Sequence, residues 1–171
     1  MHLTHKSLRQ RKRGRQTNPY WFCVRLGFFA GLIWGSFRWV LYQIHFTKVI
    51  PAFLAEPFFR SAFLKSPWGY AIGLAAFILL SIVAALVYKL LLGKIAGPRP
   101  GIAYGLLWWV VLFIGIGPLL GMMAPIHKQG MDTIATELSV FLIWGLFIGF
   151  TIAYEFTDEA TREPSGAQGA K

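Results

Sequence analysis

Acidic residues and cysteine are scarce in this chain. Seven Asp and Glu stand against 17 Lys and Arg, a formal net charge of +10, and the only cysteine is Cys23. One thiol excludes an intrachain disulfide, an iron–sulfur cluster and a cysteine-rich zinc site. Cys23 reads instead as a small apolar residue inside an apolar run. Catalytic spacings are missing too. No Ser–His–Asp set, G-x-S-x-G, paired membrane aspartates or nucleotide-binding loop occurs, and GPRPG at Gly97 is a turn. His45, His127, Asp132 and Glu137 gather toward one side of the chain's topology, but no H-x-x-x-H or H-E-x-x-H spacing joins them into a metal site, and His2 and His5 are weaker still. The sequence therefore names no catalytic residue, metal or cofactor, and the expectation is a protein that is not an enzyme.

Apolar residues are what the chain has in plenty: 56% of its 171 residues are hydrophobic and only 14% charged. A soluble domain carries about 25% charged residues. The charges crowd into the first 15 residues, the connectors and the last 17. This is the pattern of an all-α polytopic membrane protein. Runs long enough to span cover Tyr20–Phe46, Trp68–Leu92, Ile102–Pro125 and Ile134–Tyr154, giving four transmembrane helices within 20–155. Residues 1–19 form a basic tail, and 156–171, ending REPSGAQGAK, have the composition of a disordered one. The first run is too long for a signal peptide and no small-residue cleavage site follows it, so it is a retained anchor. Between the first two runs, KVIPAFLAEPFFRSAFLKSP is interrupted by Pro51, Pro57 and Pro67. It reads as one or two short interfacial helices carrying Phe53, Phe58, Phe59 and Phe63.

Lysine and arginine set the orientation. Lys6, Arg9, Arg11, Lys12, Arg13 and Arg15 precede the first span, and Lys89, Lys94 and Arg99 flank the second connector. Lys48, Arg60, Lys65 and Lys128 lie on the other side. The bias puts both termini in the cytoplasm and the protein in the cell membrane. The KSLRQRKRGR cluster reads as a topology signal whose Arg9, Arg11, Lys12, Arg13 and Arg15 also touch anionic lipid at the cytoplasmic face. It lacks the fold and interleaved aromatics of a nucleic-acid site, so no nucleic-acid partner is expected. It also lacks the adjacent arginine pair of a twin-arginine signal.

In lipid, helices associate through close packing at small residues. Each span has such a spacing: Gly27/Gly31/Gly35, Gly69/Gly73, Gly117/Gly121 and Gly145/Gly149. Four of them suit a compact bundle, packed within one chain or against a second copy or another membrane protein. Turning each residue by about 100° puts Gly27, Gly31, Gly35, Arg38, Tyr42 and His45 on one stripe of the first span, less than half its circumference wide. Arg38 thus faces inward with the glycines. Glu137, Trp144, Ile148, Thr151 and Glu155 form a comparable stripe on the fourth span. Arg38 and Glu137 lie at similar depth, which makes them a candidate buried ion pair. The alternatives are that Glu137 sits in the interface or that Arg38 snorkels out. Tyr42, His45 and Asp132 form a candidate polar site near the same end. Pro118, between Gly117 and Gly121, breaks the third helix; this is either a packing kink or the broken helix of a transporter.

Three segments carry a family resemblance: HFTKV at His45–Val49, PGIAYGLLWWVVLF at Pro100–Phe113 and MDTIATELSVFLIWGLFIGFTIAYEF at Met131–Phe156. From Arg25 to Phe156 the chain resembles the conserved membrane protein YqhR family of spore-forming bacteria. The resemblance implies a small four-span protein of the cytoplasmic membrane and carries over no catalytic residue. His45, Thr47, Lys48, Asp132 and Glu155, where the likeness is strongest, lie near helix ends and suit interface anchoring or partner binding.

The functional expectation is a non-enzymatic accessory or assembly protein working through helix packing. The alternative is a small transporter or channel-forming oligomer using Arg38, Glu137 and the Pro118 break. A more distant one is a lipid-acting membrane enzyme.

Overall fold

The computed structural model describes residues 18–93, 95 and 97–158. The basic residues Arg9, Arg11, Lys12, Arg13 and Arg15, with His2, His5 and Lys94, lie outside the described residues, as does the tail from 159 onward. Helix accounts for most of what is described, and four helices are long and apolar enough to cross a membrane.

Helix α1 runs over Pro19–Gln43. Its start is set by Asn18, whose side chain accepts the Tyr20 N–H, and by Pro19, whose missing N–H is no loss in a first turn. A one-turn helix α2 (Ser61–Leu64) follows a short 3₁₀ turn at Phe53–Ala55. Helix α3 (Pro67–Leu92) repeats the α1 start, with the Ser66 side chain accepting the Gly69 N–H ahead of Pro67. Helix α4 (Arg99–Val110) continues through a π-helical segment, Val111–Ile116, into a last turn, Gly117–Leu119. Helix α5 (Met131–Ala153) ends in a second π segment, Tyr154–Asp158.

The bundle is built from two helical hairpins, each closed along a glycine seam. In the first, α1 packs on α3: a Cβ on Gly27 or Gly31 would overlap the backbone of Ile82 or Ile78, and one on Gly35 would press on Leu74. In the second, α4 packs on α5 with Gly101 and Gly105 against Gly145 and Gly149, glycine backbone to glycine backbone. Between the hairpins lies a layer of large rings, Phe77, Phe113, Phe141 and Trp144, whose centroids sit 5.6–6.2 Å apart and mostly meet edge to face. Small residues thus bring partners close within each hairpin, and aromatics fill the wider gap between hairpins.

Several expectations are corrected here. The Gly117/Gly121 spacing is not a helix seam. Gly117 donates its N–H to Leu112 O and closes the π turn, while Gly121 adopts φ +69° in a turn with nothing near it. Gly69 and Gly73 receive Leu64 and Ala52 of the connector rather than another span. The interfacial segment is partly drawn into the bundle, with Val49 to Phe53 buried, while Phe58, Phe59 and Phe63 of its four phenylalanines stay exposed. Pro118 stands one residue from the end of its helix, so it does not break a span at mid-membrane. The wider π turn before it makes room for the proline ring and for the carbonyl it cannot satisfy. The chain remains helical through Asp158, past the residue 156 boundary set for the tail; there Phe156 meets Phe22 edge-on at 5.4 Å and lies under the Lys89 ammonium at 3.5 Å.

The first span also stops short of Phe46. Ile44 caps α1 and His45 takes φ 64°. The His45 N–H then bonds Tyr42 O at 3.1 Å and the Phe46 N–H bonds Leu41 O at 2.9 Å, the paired bonds of a Schellman ending. His45 therefore leaves the inward stripe. This reversal steers the following residues back into the bundle.

Candidate functional site

Arg38 lies five residues before the end of α1 and Glu137 six residues after the start of α5. At about 1.5 Å of rise per residue, the two side chains reach similar depth. The structure brings them together. Arg38 Nε donates to Glu137 Oε2 at 2.9 Å and Nη2 donates to Oε1 at 3.0 Å, a two-pronged ion pair with side chains 2% and 1% exposed. Among the described residues it is the sole salt bridge.

Two further layers complete the cluster. Thr47, turned inward by the α1 ending, donates its hydroxyl to Glu137 Oε1 at 2.7 Å and accepts the Val49 N–H at 3.2 Å. The guanidinium carbon sits 4.5 Å from the Phe53 ring centroid and 5.5 Å from that of Phe77. Carboxylate, hydroxyl and two π faces thus answer a charge that lipid could not. One turn above Glu137, the buried Thr133 accepts the Lys48 N–H at 3.2 Å and pins the connector to the start of α5.

The candidate polar site of Tyr42, His45 and Asp132 is not assembled. Tyr42 packs toward Tyr70 with centroids 6.5 Å apart, while His45 and Asp132 are exposed; apart from the backbone bond that ends α1, from the His45 N–H to Tyr42 O, no hydrogen bond or ion pair joins the three among the described residues. His127 is exposed as well, and the described residues hold no group of three or more His, Cys, Asp or Glu placed to bind a metal. Cys23 is fully buried.

Sequence reasoning named Thr47 and Phe53 only as an anchoring and an interfacial residue, where the structure puts both against the ion pair, and it missed Phe77 and Thr133 as well as Gly101 and Gly105. It also missed two neutral ties between the hairpins. Trp144 Nε1 donates to Ser81 Oγ at 3.0 Å, and the Tyr104 hydroxyl donates to Ala84 O at 2.8 Å. A signal existed for the glycines, since G-I-A-Y-G repeats the seam spacing. It existed for Ser81 too, the one serine or threonine in the most apolar run.

A pocket of about 160 Å³ opens sideways between α1 and α3, lined by Gly35, Ser36, Trp39, Tyr70 and Leu74, and reaches Arg38. Its walls are mainly apolar, so it meets the charge cluster from the lipid side.

The family model described as "Conserved membrane protein YqhR" matches residues 4–167. "Uncharacterized protein YqhR" of Bacillus subtilis (strain 168) is 31% identical over 132 residues, covering 77% of this chain and 74% of that protein. No solved structure matches. With the family model spanning almost the whole sequence and the relative aligned across most of it, the chain belongs to the conserved membrane protein YqhR family.

Proposed function

We propose that this protein is a non-enzymatic accessory or assembly component of the cytoplasmic membrane, with both termini in the cytoplasm, acting through a rigid helix bundle on itself or on another membrane protein. One observation carries the reading: both Glu137 oxygens are taken up by Arg38, Oε1 also accepts from Thr47, and phenyl rings cover the guanidinium. A group meant to bind, release or relay an ion keeps a free position. Here both carboxylate oxygens and two of the three guanidinium nitrogens are engaged by the fold itself, as in a structural lock. The lysine and arginine bias of the tail and second connector supports the orientation.

Crosslinking in native membranes, followed by identification of the captured proteins, tests the reading. Recovery of a self-oligomer or of a recurrent membrane partner is the expected result. Recovery of the monomer alone removes the support.

The pocket reaching Arg38 favours a second reading, a small transporter. It predicts that a cysteine at Ser36, introduced into a Cys23→Ala background, reacts with an aqueous thiol reagent. The lock predicts that it does not.

A further inference from the structure

The connector between α1 and α3 and the connector between α4 and α5 lie at the same end of an up-and-down bundle, opposite the chain termini. Between them they enclose a cleft of about 500 Å³. Lys48 and Lys65 from the first connector and Lys128 from the second line it, with Glu56 as its one acidic wall residue. Among the described residues, none of these lysines is paired with a carboxylate, whereas Glu56 already accepts the Ser61 hydroxyl at 3.2 Å. Two positive charges are thus left over in a concave, half-enclosed space.

Other donors converge on the same place. Thr133 lines the cleft and belongs to the first turn of α5, whose N-cap is Gly130. A glycine cap offers no side chain to the first N–H groups, so the positive end of a 23-residue helix stands at the cleft wall. Asp132 lies in that turn and offsets part of the field, but it is exposed and does not line the cleft. Gln129, also in the wall, donates through Nε2 to Ala124 O at 2.6 Å, which leaves its Oε1 buried without a partner. That oxygen calls for a donor such as a hydroxyl. Val49, Ile50 and Met122 supply an apolar flank.

We infer that this cleft binds a phosphate group, carried on a lipid headgroup or free, through Lys48, Lys65, Lys128 and the start of α5. Charge selects the anion, the unpaired Gln129 oxygen favours a hydroxyl beside the phosphate, and the apolar flank suits a headgroup with its chain attached. The site stands apart from the basic segment before α1, which the topology puts at the other end. It also holds independently of the accessory reading, because its test measures binding alone.

The test uses the full chain purified into phosphatidylcholine nanodiscs, with phosphatidylglycerol added to the bilayer or inorganic phosphate added to the buffer. In the unaltered protein, the bound probe is expected to protect Lys48, Lys65 and Lys128 from amine acylation several-fold more than Lys89. The variant K48Q/K65Q/K128Q is expected to bind at least about tenfold more weakly. Protection by phosphatidylglycerol assigns the phosphate to a lipid, and protection by inorganic phosphate alone assigns it to a free anion; either supports the site. Equal acylation with and without both probes overturns it, as does a Gln variant that binds as the unaltered chain does. The protection experiment needs no variant, so its outcome stands even if the triple substitution fails to fold.

Discussion

A guanidinium placed in lipid needs its charge and its N–H groups answered together, because removing one partner strands the other. Arg38 meets this demand with Nε and Nη2 on a single carboxylate and phenyl rings beside the charge, and Glu137 is in turn positioned by a threonine outside either helix. The asymmetry of such pairs makes a prediction. Arg38→Met or Glu137→Leu alone leaves a bare buried charge and destabilises the fold by about 3 kcal/mol, whereas the double variant loses less than either single one. Reversible denaturant unfolding in mixed micelles measures this; losses that simply add would show that the two side chains are not coupled. Thr47 bears on the same point, since its hydroxyl shares Oε1 with Nη2. Its bond to Glu137 lay beyond the reach of sequence reasoning, which saw only an anchoring residue, because its inward turn depends on His45 adopting a left-handed backbone after α1. No periodicity carries past the end of a helix.

At the scale of elements, the glycines divide by what surrounds them. Gly145 faces the backbone of Gly105, and backbone cannot move aside as a side-chain tip can. Gly145→Ala is therefore expected to cost about 3 kcal/mol, at the upper end for overpacking, or to part α4 from α5. Gly121 needs only its positive φ, with open space around it. Gly121→Asn is expected to be nearly neutral, because Asn tolerates that conformation. Thermal unfolding of the two variants separates the roles, and equal losses would contradict the division. The sequence made the four helices legible because each is a long apolar run, and it made the Arg38 stripe legible because 100° steps hold along a regular helix. It misplaced Gly117 and Gly121 because spacing alone cannot tell a seam from a π turn with a glycine bend behind it. The lysine-lined cleft stayed hidden for a different reason. The sequence puts Lys48, Lys65 and Lys128 on one side of the membrane, but they are far apart along the chain, and only the folded connectors close them round one cleft.

For the whole molecule, the question is what holds one hairpin to the other. Five polar ties cross the gap among the described residues: Arg38–Glu137, Thr47–Glu137 and the Lys48 N–H to Thr133 near one end, then Trp144–Ser81 and Tyr104–Ala84. Neutral interhelical hydrogen bonds in membranes contribute about 0.6 kcal/mol each, so the last two fix register more than they supply strength. The edge-to-face rings and the ion pair then carry the association. Each hairpin has two spans and its ends on the same side, so the chain can be divided in the connector after Ile95 without altering either topology. Fragments 1–95 and 96–171, co-expressed, are expected to copurify as a complex. Glu137→Leu in the second fragment should weaken that complex at least about tenfold, the consequence of leaving Arg38 unpaired against lipid and rings. Restoring neutrality with Arg38→Met in the first fragment should recover part of the loss. If the fragments bind equally well with Glu137→Leu alone, the aromatic layer holds the hairpins together unaided, and the ion pair only sets their register.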